Sequence, residues 1–169
     1  GEPEIVIETP KHGIEIHELS LGHITRVFDV YAERYEHLMK KEGIRYTVVF
    51  KNEGGKAGAS IPHSHSQIIS LPMIPPKLAK EATALDDYMK KHDSCPYCDI
   101  IKSESNGPRV IMEDKHLFVL SPYASESPYG VWFIPKRHVR TIGDLNHEEK
   151  HSMARAFKQV LGKLDEIDI

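Results

Sequence analysis

Two stretches of the sequence, 126 residues apart, follow the same order of features. Each runs from an apolar strand-like segment into a Pro-Lys sequence that leads to a histidine. Seven residues after that histidine come a leucine, a polar residue and then an amphipathic helix. The offset aligns His12 with His138 and Leu19 with Leu145, and it continues along the apolar positions of the helix. Chance similarity of two helices is the alternative, but a match in register that includes the histidine indicates an internal repeat. The sequence therefore predicts two copies of one α+β unit.

Local patterns predict how each unit is built. β-branched and aromatic runs indicate short strands, at residues 5–7, 46–50, a segment that ends at 71, 109–112, 116–120 and 130–134. Apolar residues spaced by three and four indicate helices, at about residues 20–41, 78–90 and 146–164. Residues 91–95 resemble a linker, so we place the late part of the first unit at 1–91 and the early part of the second at 92–169. Each unit would be an antiparallel sheet with a packed amphipathic helix. Both would be incomplete, which predicts that the chain is a window of a longer protein.

The composition limits the classes of partner. A net charge of −3 in 169 residues gives no reason to expect nucleic acid or an anionic membrane as a partner. No apolar run approaches the roughly 20 residues of a membrane span, and the acidic start lacks the features of a signal peptide. Two cysteines do not make a secreted disulfide framework. We therefore expect a cytoplasmic protein, and its eleven histidines direct attention to metal binding or catalysis.

The segment Gly58–Gln67, "GASIPHSHSQ", carries the residues best suited to chemistry. At strand spacing His63, His65 and Gln67 share one face, and polar groups on a buried strand need partners because leaving them unpaired costs several kcal/mol. The small residues from Gly58 to Ser60 would let the backbone approach a phosphate. A neutral imidazole is a competent nucleophile towards phosphorus. The segment predicts that one histidine attacks while Gln67 donates hydrogen bonds to phosphoryl oxygens; two half-exposed strand histidines are the alternative.

These residues resemble the histidine-triad superfamily, specifically its transferase branch, which contains the galactose-1-phosphate uridylyltransferases and related nucleotide-sugar phosphorylases. The resembling segments cover nearly the whole chain and are Pro10–His12, Asn52–Gly54, Gly58–Gln67 and Arg109–His138. Gln67 stands where the hydrolase branch carries a third histidine. Ser64 and Ser66 stand where familiar uridylyltransferases have Pro and Gly, a version that resembles plant-type ADP-glucose phosphorylases. Both serines fall on the strand face opposite His65, so the covalent chemistry should survive these changes.

The resemblance implies a role for each residue of the motif. His65 matches the nucleophile that takes a nucleotidyl group from a nucleotide sugar, and Gln67 matches the residue that holds the phosphoryl oxygens of the intermediate. Asn52, Gly58 and Ser60 match positions that contact nucleotide or phosphate.

The resemblance also implies metal sites. His12 and His63 match two ligands of one structural zinc, whose other ligands in the family are an upstream CxxC pair that this chain lacks. Cys95, Cys98 and His138 would form the equivalent site of the second unit, since thiolate and imidazole ligands suit tetrahedral zinc. Packed cysteines without a special role and a redox pair are the alternatives.

The function that these expectations predict is a nucleotidyltransferase, which moves UMP from UDP-glucose to galactose 1-phosphate through a covalent nucleotidyl-histidine. Glu81 matches a position where some members carry a ligand for a second, non-catalytic metal, and a homodimer is expected. One alternative is a phosphorylase on the same scaffold, acting on ADP-glucose or a dinucleoside polyphosphate. An alternative of another class is a non-catalytic nucleotide-binding or zinc-scaffold protein.

Overall fold

The computed structural model describes residues 1–54, 57–59 and 61–167. Within them lie six strands, four α-helices and two short 3-10 helices, Ile16–Glu18 and Ile142–Asp144. The strands are β1 Glu2–Ile7, β2 Tyr46–Phe50, β3 His65–Leu71, β4 Val110–Glu113, β5 Leu117–Leu120 and β6 Trp132–Pro135. The α-helices are α1 Leu21–Met39, α2 Pro76–His92, α3 Pro96–Glu104 and α4 His147–Glu166. The predicted α+β class is confirmed.

The strands form two small antiparallel sheets. In the first, β3 lies between β1 and β2, and its first residue, His65, pairs with Ile7 at the end of β1. In the second, β5 lies between β4 and β6. All four residues of β5 are buried, as a central strand that reads Leu-Phe-Val-Leu favours.

The two long helices hold the sheets together. Helices α1 and α4 pack against each other, and the Phe28 ring of α1 meets Phe157 of α4 edge to face with 5.1 Å between centroids. Phe133 of β6 lies 4.6 Å from the same Phe157 ring. Fully burying a side chain of this size stabilises the fold by about 1.5–3 kcal/mol. One hydrophobic core therefore includes residues of both halves.

The offset of 126 residues is visible in the local structure. The two 3-10 helices are separated by this interval, and so are the N-cap residues that precede the following α-helices, Ser20 and Asn146. In both cases the N-cap side chain accepts a hydrogen bond from the backbone amide three residues on, that of His23 and of Glu149 respectively. The division into units at residues 91 and 92 stays a prediction.

Three local expectations were wrong. Strand β3 begins at His65, so His63 precedes the strand instead of sharing a face within it. Residues 96–104 form a helix that the sequence patterns did not predict. The linker is shorter than expected because α2 continues to His92 before Asp93 ends it in a left-handed conformation, φ 52°. In the part of the chain described, no helix combines the length and apolar character required to cross a lipid bilayer.

Candidate active site

His65 begins the central strand of the first sheet and is held in one tautomer. Its Nδ1 lies 2.8 Å from the carbonyl oxygen of His63, which can only accept, so Nδ1 carries the proton. In the neutral ring the lone pair is then on Nε2. Only 2% of His65 is exposed. The imidazole is thus oriented by the backbone two residues before it, as a nucleophile needs to be.

His65 contributes to the wall of a cleft of about 290 Å³ at the end of the first sheet. The other parts of the wall come from the loop after β2, which includes Asn52, and from the segment that leads into β3. The lining residues are Glu15, Lys51, Asn52, Glu53, Gly54, Ala59, Ile61, Pro62, His63, Ser64 and His65. The structure therefore brings Asn52, His63 and His65 together.

Gln67 lies one step further along the same strand face as His65. Its neighbours across the sheet are Ile5 of β1 and Phe50 of β2. This face is the more open one, since Ile5 is 58% exposed while Ser66 and Ile68 on the other face are buried. The side of β3 that carries Ser66 and Ile68 is therefore packed into the protein, although His65, at the start of the other side, is buried as well.

Glycines shape the loop beside the cleft. Gly54 and Gly58 have φ values of +75° and +83°, which side chains with a Cβ rarely adopt. Gly58 is exposed and is not among the residues that line the cleft in the described part of the chain. Ser60, the third residue expected to contact phosphate, lies outside the described residues.

A buried carboxylate that was not predicted from the sequence contacts the serines on either side of His65. Glu8 directly follows β1, and its side chain is completely buried. Ser64 donates to Glu8 Oε2 at 2.6 Å, Ser66 donates to Oε1, and the Tyr31 hydroxyl lies 3.0 Å from the same Oε1. The signal was available: Glu8 continues the alternation of β1 on the inward side of Val6, where an apolar residue is expected.

Lys51 joins this network to the cleft. Its ammonium group lies 3.0 Å from Glu8 Oε2 and 3.0 Å from the Ser64 hydroxyl, and it approaches Glu15 at 3.4 Å and Glu53 at 3.7 Å. Lys51 immediately follows β2 and precedes Asn52. One buried cluster of hydrogen bonds therefore links the ends of β1 and β2 to the start of β3.

The network sets the ionisation of its carboxylates. Burial alone would raise the pKa of Glu8, but the hydrogen bonds from Ser64 and Ser66 and the charge of Lys51 hold the pKa below its ordinary value. Glu53 behaves in the opposite way, because burial and the nearby Glu15 carboxylate raise its pKa. The cleft therefore contains a firmly ionised acid behind the motif and a more easily protonated one at its edge.

His12 and His63 have the arrangement of a pair of metal ligands. The Nε2 of His63 donates to the Thr9 carbonyl at 2.6 Å, which leaves the lone pair of its neutral ring on Nδ1. The Nδ1 atoms of His12 and His63 are 3.3 Å apart. Two nitrogens bound to one tetrahedral zinc at about 2.05 Å would be separated by about 3.3 Å. The pair fits zinc as two of its four ligands.

Cys95, Cys98 and His138 also converge, as expected. Their candidate ligand atoms all lie within 4.8 Å of one another, and Cys98 Sγ is 3.5 Å from His138 Nδ1. A sulfur and a nitrogen on one zinc would be separated by about 3.6 Å. Cys95 is the N-cap of α3, and a helix precedes it instead of a strand. Burial and the neighbouring Cys95 raise the pKa of Cys98, which does not favour a reactive redox thiol without a metal.

Glu81 is exposed on α2 and belongs to no comparable cluster. Among the residues that the structure describes, the Cys95–Cys98–His138 group is the only set of three or more His, Cys, Asp or Glu side chains placed to share a metal ion. The second, non-catalytic metal at Glu81 stays a prediction.

Comparison with known proteins agrees with this site. Residues 1–75, which include the whole His-x-His-x-Gln segment, match the family described as galactose-1-phosphate uridyl transferase, N-terminal domain. The chain belongs to the galactose-1-phosphate uridylyltransferase family. A family member from Thermotoga maritima, named galactose-1-phosphate uridylyltransferase, is 30% identical over 167 residues, 99% of this chain and 52% of the relative. An ADP-glucose phosphorylase from Arabidopsis thaliana is 32% identical over 97% of this chain and 46% of its own length.

Solved structures in the family have the same fold. A uridylyltransferase structure superposes with a TM-score of 0.87 at 32% identity and covers 94% of this chain and 50% of that chain. The structure of an Arabidopsis thaliana ADP-glucose phosphorylase with bound ADP-glucose gives a TM-score of 0.90 at 30% identity, over 97% of this chain and 52% of that one. The chain spans about half the length of the curated relatives it matches.

Proposed function

We propose that this chain carries the nucleotidyl-transfer site of a UDP-glucose–hexose-1-phosphate uridylyltransferase. The observation that carries the proposal is the hydrogen bond from His65 Nδ1 to the His63 carbonyl, 2.8 Å, which leaves Nε2 as the nucleophilic nitrogen beside a cleft that also includes Asn52. Names of relatives support the reaction type.

The reaction has two displacements at one phosphorus atom. In the first, His65 Nε2 attacks the α-phosphorus of UDP-glucose, a nitrogen–phosphorus bond forms, and the bond to the bridging oxygen breaks to release glucose 1-phosphate. In the second, a phosphate oxygen of galactose 1-phosphate attacks the same phosphorus and the imidazole leaves. Gln67 is the proposed donor to the phosphoryl oxygens, where charge develops in each step.

The metal sites have a structural role in this proposal. Zinc held by His12 and His63 would fix the segment that enters β3, because His63 is both a ligand and the residue whose carbonyl orients His65. Zinc held by Cys95, Cys98 and His138 would tie α3 to the loop after β6. The homodimer and the cytoplasmic location stay predictions.

The second candidate is a phosphorylase that transfers AMP from ADP-glucose to inorganic phosphate. The observation that favours it is the similarity to an ADP-glucose phosphorylase, 32% identical, compared with 30% for the uridylyltransferase from Thermotoga maritima. The covalent step at His65 would be the same. The two candidates differ in the base of the nucleotide and in the acceptor.

Intact-mass analysis after incubation with UDP-glucose or ADP-glucose tests both candidates. We expect the mass of one uridylyl group to be added, to be released by galactose 1-phosphate, and to be absent in His65→Asn. The matched control is His151→Asn, an exposed histidine on α4 far along the chain from the cleft. An adenylyl adduct released by phosphate would select the phosphorylase. Nucleotide binding that His65→Asn does not alter, without any adduct, would contradict both and indicate a binding protein.

A further inference from the structure

The structure leaves one feature of the motif unexplained by the proposed reaction: the two serines that flank His65. Ser64 and Ser66 are 3% and 1% exposed, and the proposed reaction gives neither hydroxyl a role. Both hydroxyls bind the buried Glu8 carboxylate. A carboxylate is costly to bury unless it is well satisfied, so this arrangement is not explained by packing alone.

We propose that Glu8 is a positioning residue for His65. Its carboxylate binds the residues on both sides of His65, one to each oxygen, and so fixes the orientation of the imidazole between them. This inference rests on the proposed function, in which His65 is the nucleophile, but it names a residue outside the His-x-His-x-Gln motif.

The backbone strengthens the connection. The amide of Glu8 donates to the carbonyl of Ser64 at 3.2 Å, so the same residue is bound to Ser64 through both main chain and side chain. The carbonyl oxygen that accepts the hydrogen bond from His65 Nδ1 belongs to His63, the neighbour of Ser64. Movement of Ser64 would therefore change the donor–acceptor geometry that selects the His65 tautomer.

The network also reaches the part of the cleft wall that is formed by the loop after β2. Lys51 is bound to Glu8 and Ser64 and is adjacent to Asn52, which lines the cleft. Glu8 thus fixes the distance between the strand that carries the nucleophile and the loop expected to hold the nucleotide. Since a displacement of about 1 Å can slow an oriented reaction about 100-fold, we expect loss of the Glu8 contacts to slow the first displacement by roughly 10- to 100-fold.

The test uses three changes to the network and one matched control. Glu8→Ala removes the acceptor, Ser64→Ala with Ser66→Ala removes the donors, and Glu8→Gln keeps the size and one acceptor oxygen. Ser70→Ala is the control, because Ser70 is fully buried on the same face of β3 and its hydroxyl bonds to Thr47, 2.9 Å away, outside the network. All variants are measured below their unfolding temperatures.

Two readouts separate positioning from stability. The first is the His65 tautomer, followed by nitrogen-15 chemical shifts of the ring, with His65→Asn to assign the signals. The second is the single-turnover rate of nucleotidyl transfer to His65 against the Kd for the free nucleoside monophosphate. We expect Glu8→Ala and the double serine variant to mix the tautomers and to slow transfer by about 10- to 100-fold. The Kd should change by less than about 3-fold, Glu8→Gln should recover most of the rate, and Ser70→Ala should leave both readouts unchanged.

Each other outcome has a defined meaning. Glu8 variants that lower the unfolding temperature but keep the wild-type tautomer and rate would overturn the inference, and so would an equal effect of Ser70→Ala. If the wild type forms no adduct with any nucleotide, the proposed function fails, while the tautomer measurement still decides whether Glu8 orients His65. If Glu8→Ala does not fold, the double serine variant and Glu8→Gln provide the same comparison.

Discussion

The two halves of the molecule have the same order of strand, loop and helix, but different hydrogen bonds connect the start of the helix to the preceding segment. In the first half, the third residue of α1, His23, donates from Nε2 to the Glu8 carbonyl at 2.7 Å. In the second half, the third residue of α4, Glu149, accepts two hydrogen bonds of 2.7 Å from Arg137. Each bond ties the start of a helix to the loop that carries His12 or His138. The same chain path is therefore compatible with a histidine-to-carbonyl hydrogen bond in one half and an arginine–glutamate ion pair in the other.

The halves differ more deeply where chemistry is expected. The position 126 residues after Glu8 is occupied by Ile134, an apolar residue of β6. The first half thus has a buried carboxylate where the second has an ordinary strand residue. A carboxylate buried here offers no packing advantage over isoleucine, which fits the positioning role that we propose for Glu8 in the half that carries His65.

The largest single effect that we expect is the loss of folding stability when Glu8 is removed, and the matching change in the second half is at Glu149. Glu8→Ala should lower the free energy of unfolding by about 3 kcal/mol, because charge-assisted hydrogen bonds are lost inside the protein. Glu149→Ala should cost only about 1–2 kcal/mol, because the side chain of its partner Arg137 is 50% exposed and can be solvated instead. Urea unfolding of the two variants and the wild type at pH 7 measures the difference.

The same experiment at lower pH checks the cause. The pKa of Glu8 is lowered in the folded state, so its contribution is present above the unfolded pKa of about 4.3 and is lost as the pH falls through the folded pKa. The gap between Glu8→Ala and wild type should therefore shrink below about pH 4. A gap that stays constant with pH, or a larger cost for Glu149→Ala, would show that the charge of Glu8 does not distinguish the halves.

The next difference concerns zinc. Cys95, Cys98 and His138 supply three ligands, two of them thiolates, whereas His12 and His63 supply two imidazoles. We expect the second-half cluster to bind zinc at least about 100-fold more tightly, because thiolates are strong zinc ligands and a third ligand is added. Competition with a chromophoric chelator measures both affinities, with Cys98→Ser and His12→Asn to assign them. Equal affinities, or tight binding that survives Cys98→Ser, would contradict the assignment.

Much of this fold was accessible from the sequence because periodicity records burial. The helices α1 and α4 followed from apolar spacing, strand β2 from its β-branched and aromatic run, and the offset of 126 from the aligned histidines and helix positions. The convergence of Cys95 with His138 was expected from the family resemblance together with the repeat, since their 43-residue separation gives no local signal. Helix α3 was not predicted, because its nine residues, which begin with Pro96, are too few to show a clear apolar periodicity.

The site was less predictable than the fold for a specific physical reason. Alternation indicates which residues share a face, but it does not say which face is packed into the protein. The side of β3 that carries the serines is buried, because Glu8 and Lys51, which directly follow β1 and β2, form hydrogen bonds with the serine hydroxyls. Such long-range pairing, 56 residues apart for Glu8 and Ser64, depends on sheet register and lies beyond local pattern.

The smallest expected difference is between the two helix N-caps that the repeat aligns. Ser20 accepts from the His23 amide at 3.3 Å, whereas Asn146 accepts from the Glu149 amide at 2.9 Å. The Glu149 carboxylate in turn accepts a hydrogen bond from the Asn146 backbone amide at 2.9 Å. Asn146→Ala should therefore cost about 1 kcal/mol of unfolding free energy and Ser20→Ala about 0.5 kcal/mol. As controls, Ser20→Asp and Asn146→Asp should each have an unfolding free energy near that of the wild type, since a carboxylate caps a helix as well as a hydroxyl or amide does. A larger loss of unfolding free energy for Ser20→Ala than for Asn146→Ala would contradict this prediction. It would show that the reciprocal hydrogen bonds of Asn146 and Glu149 do not make the second helix start the more stable one, and that Ser20 also stabilises the loop that carries His12.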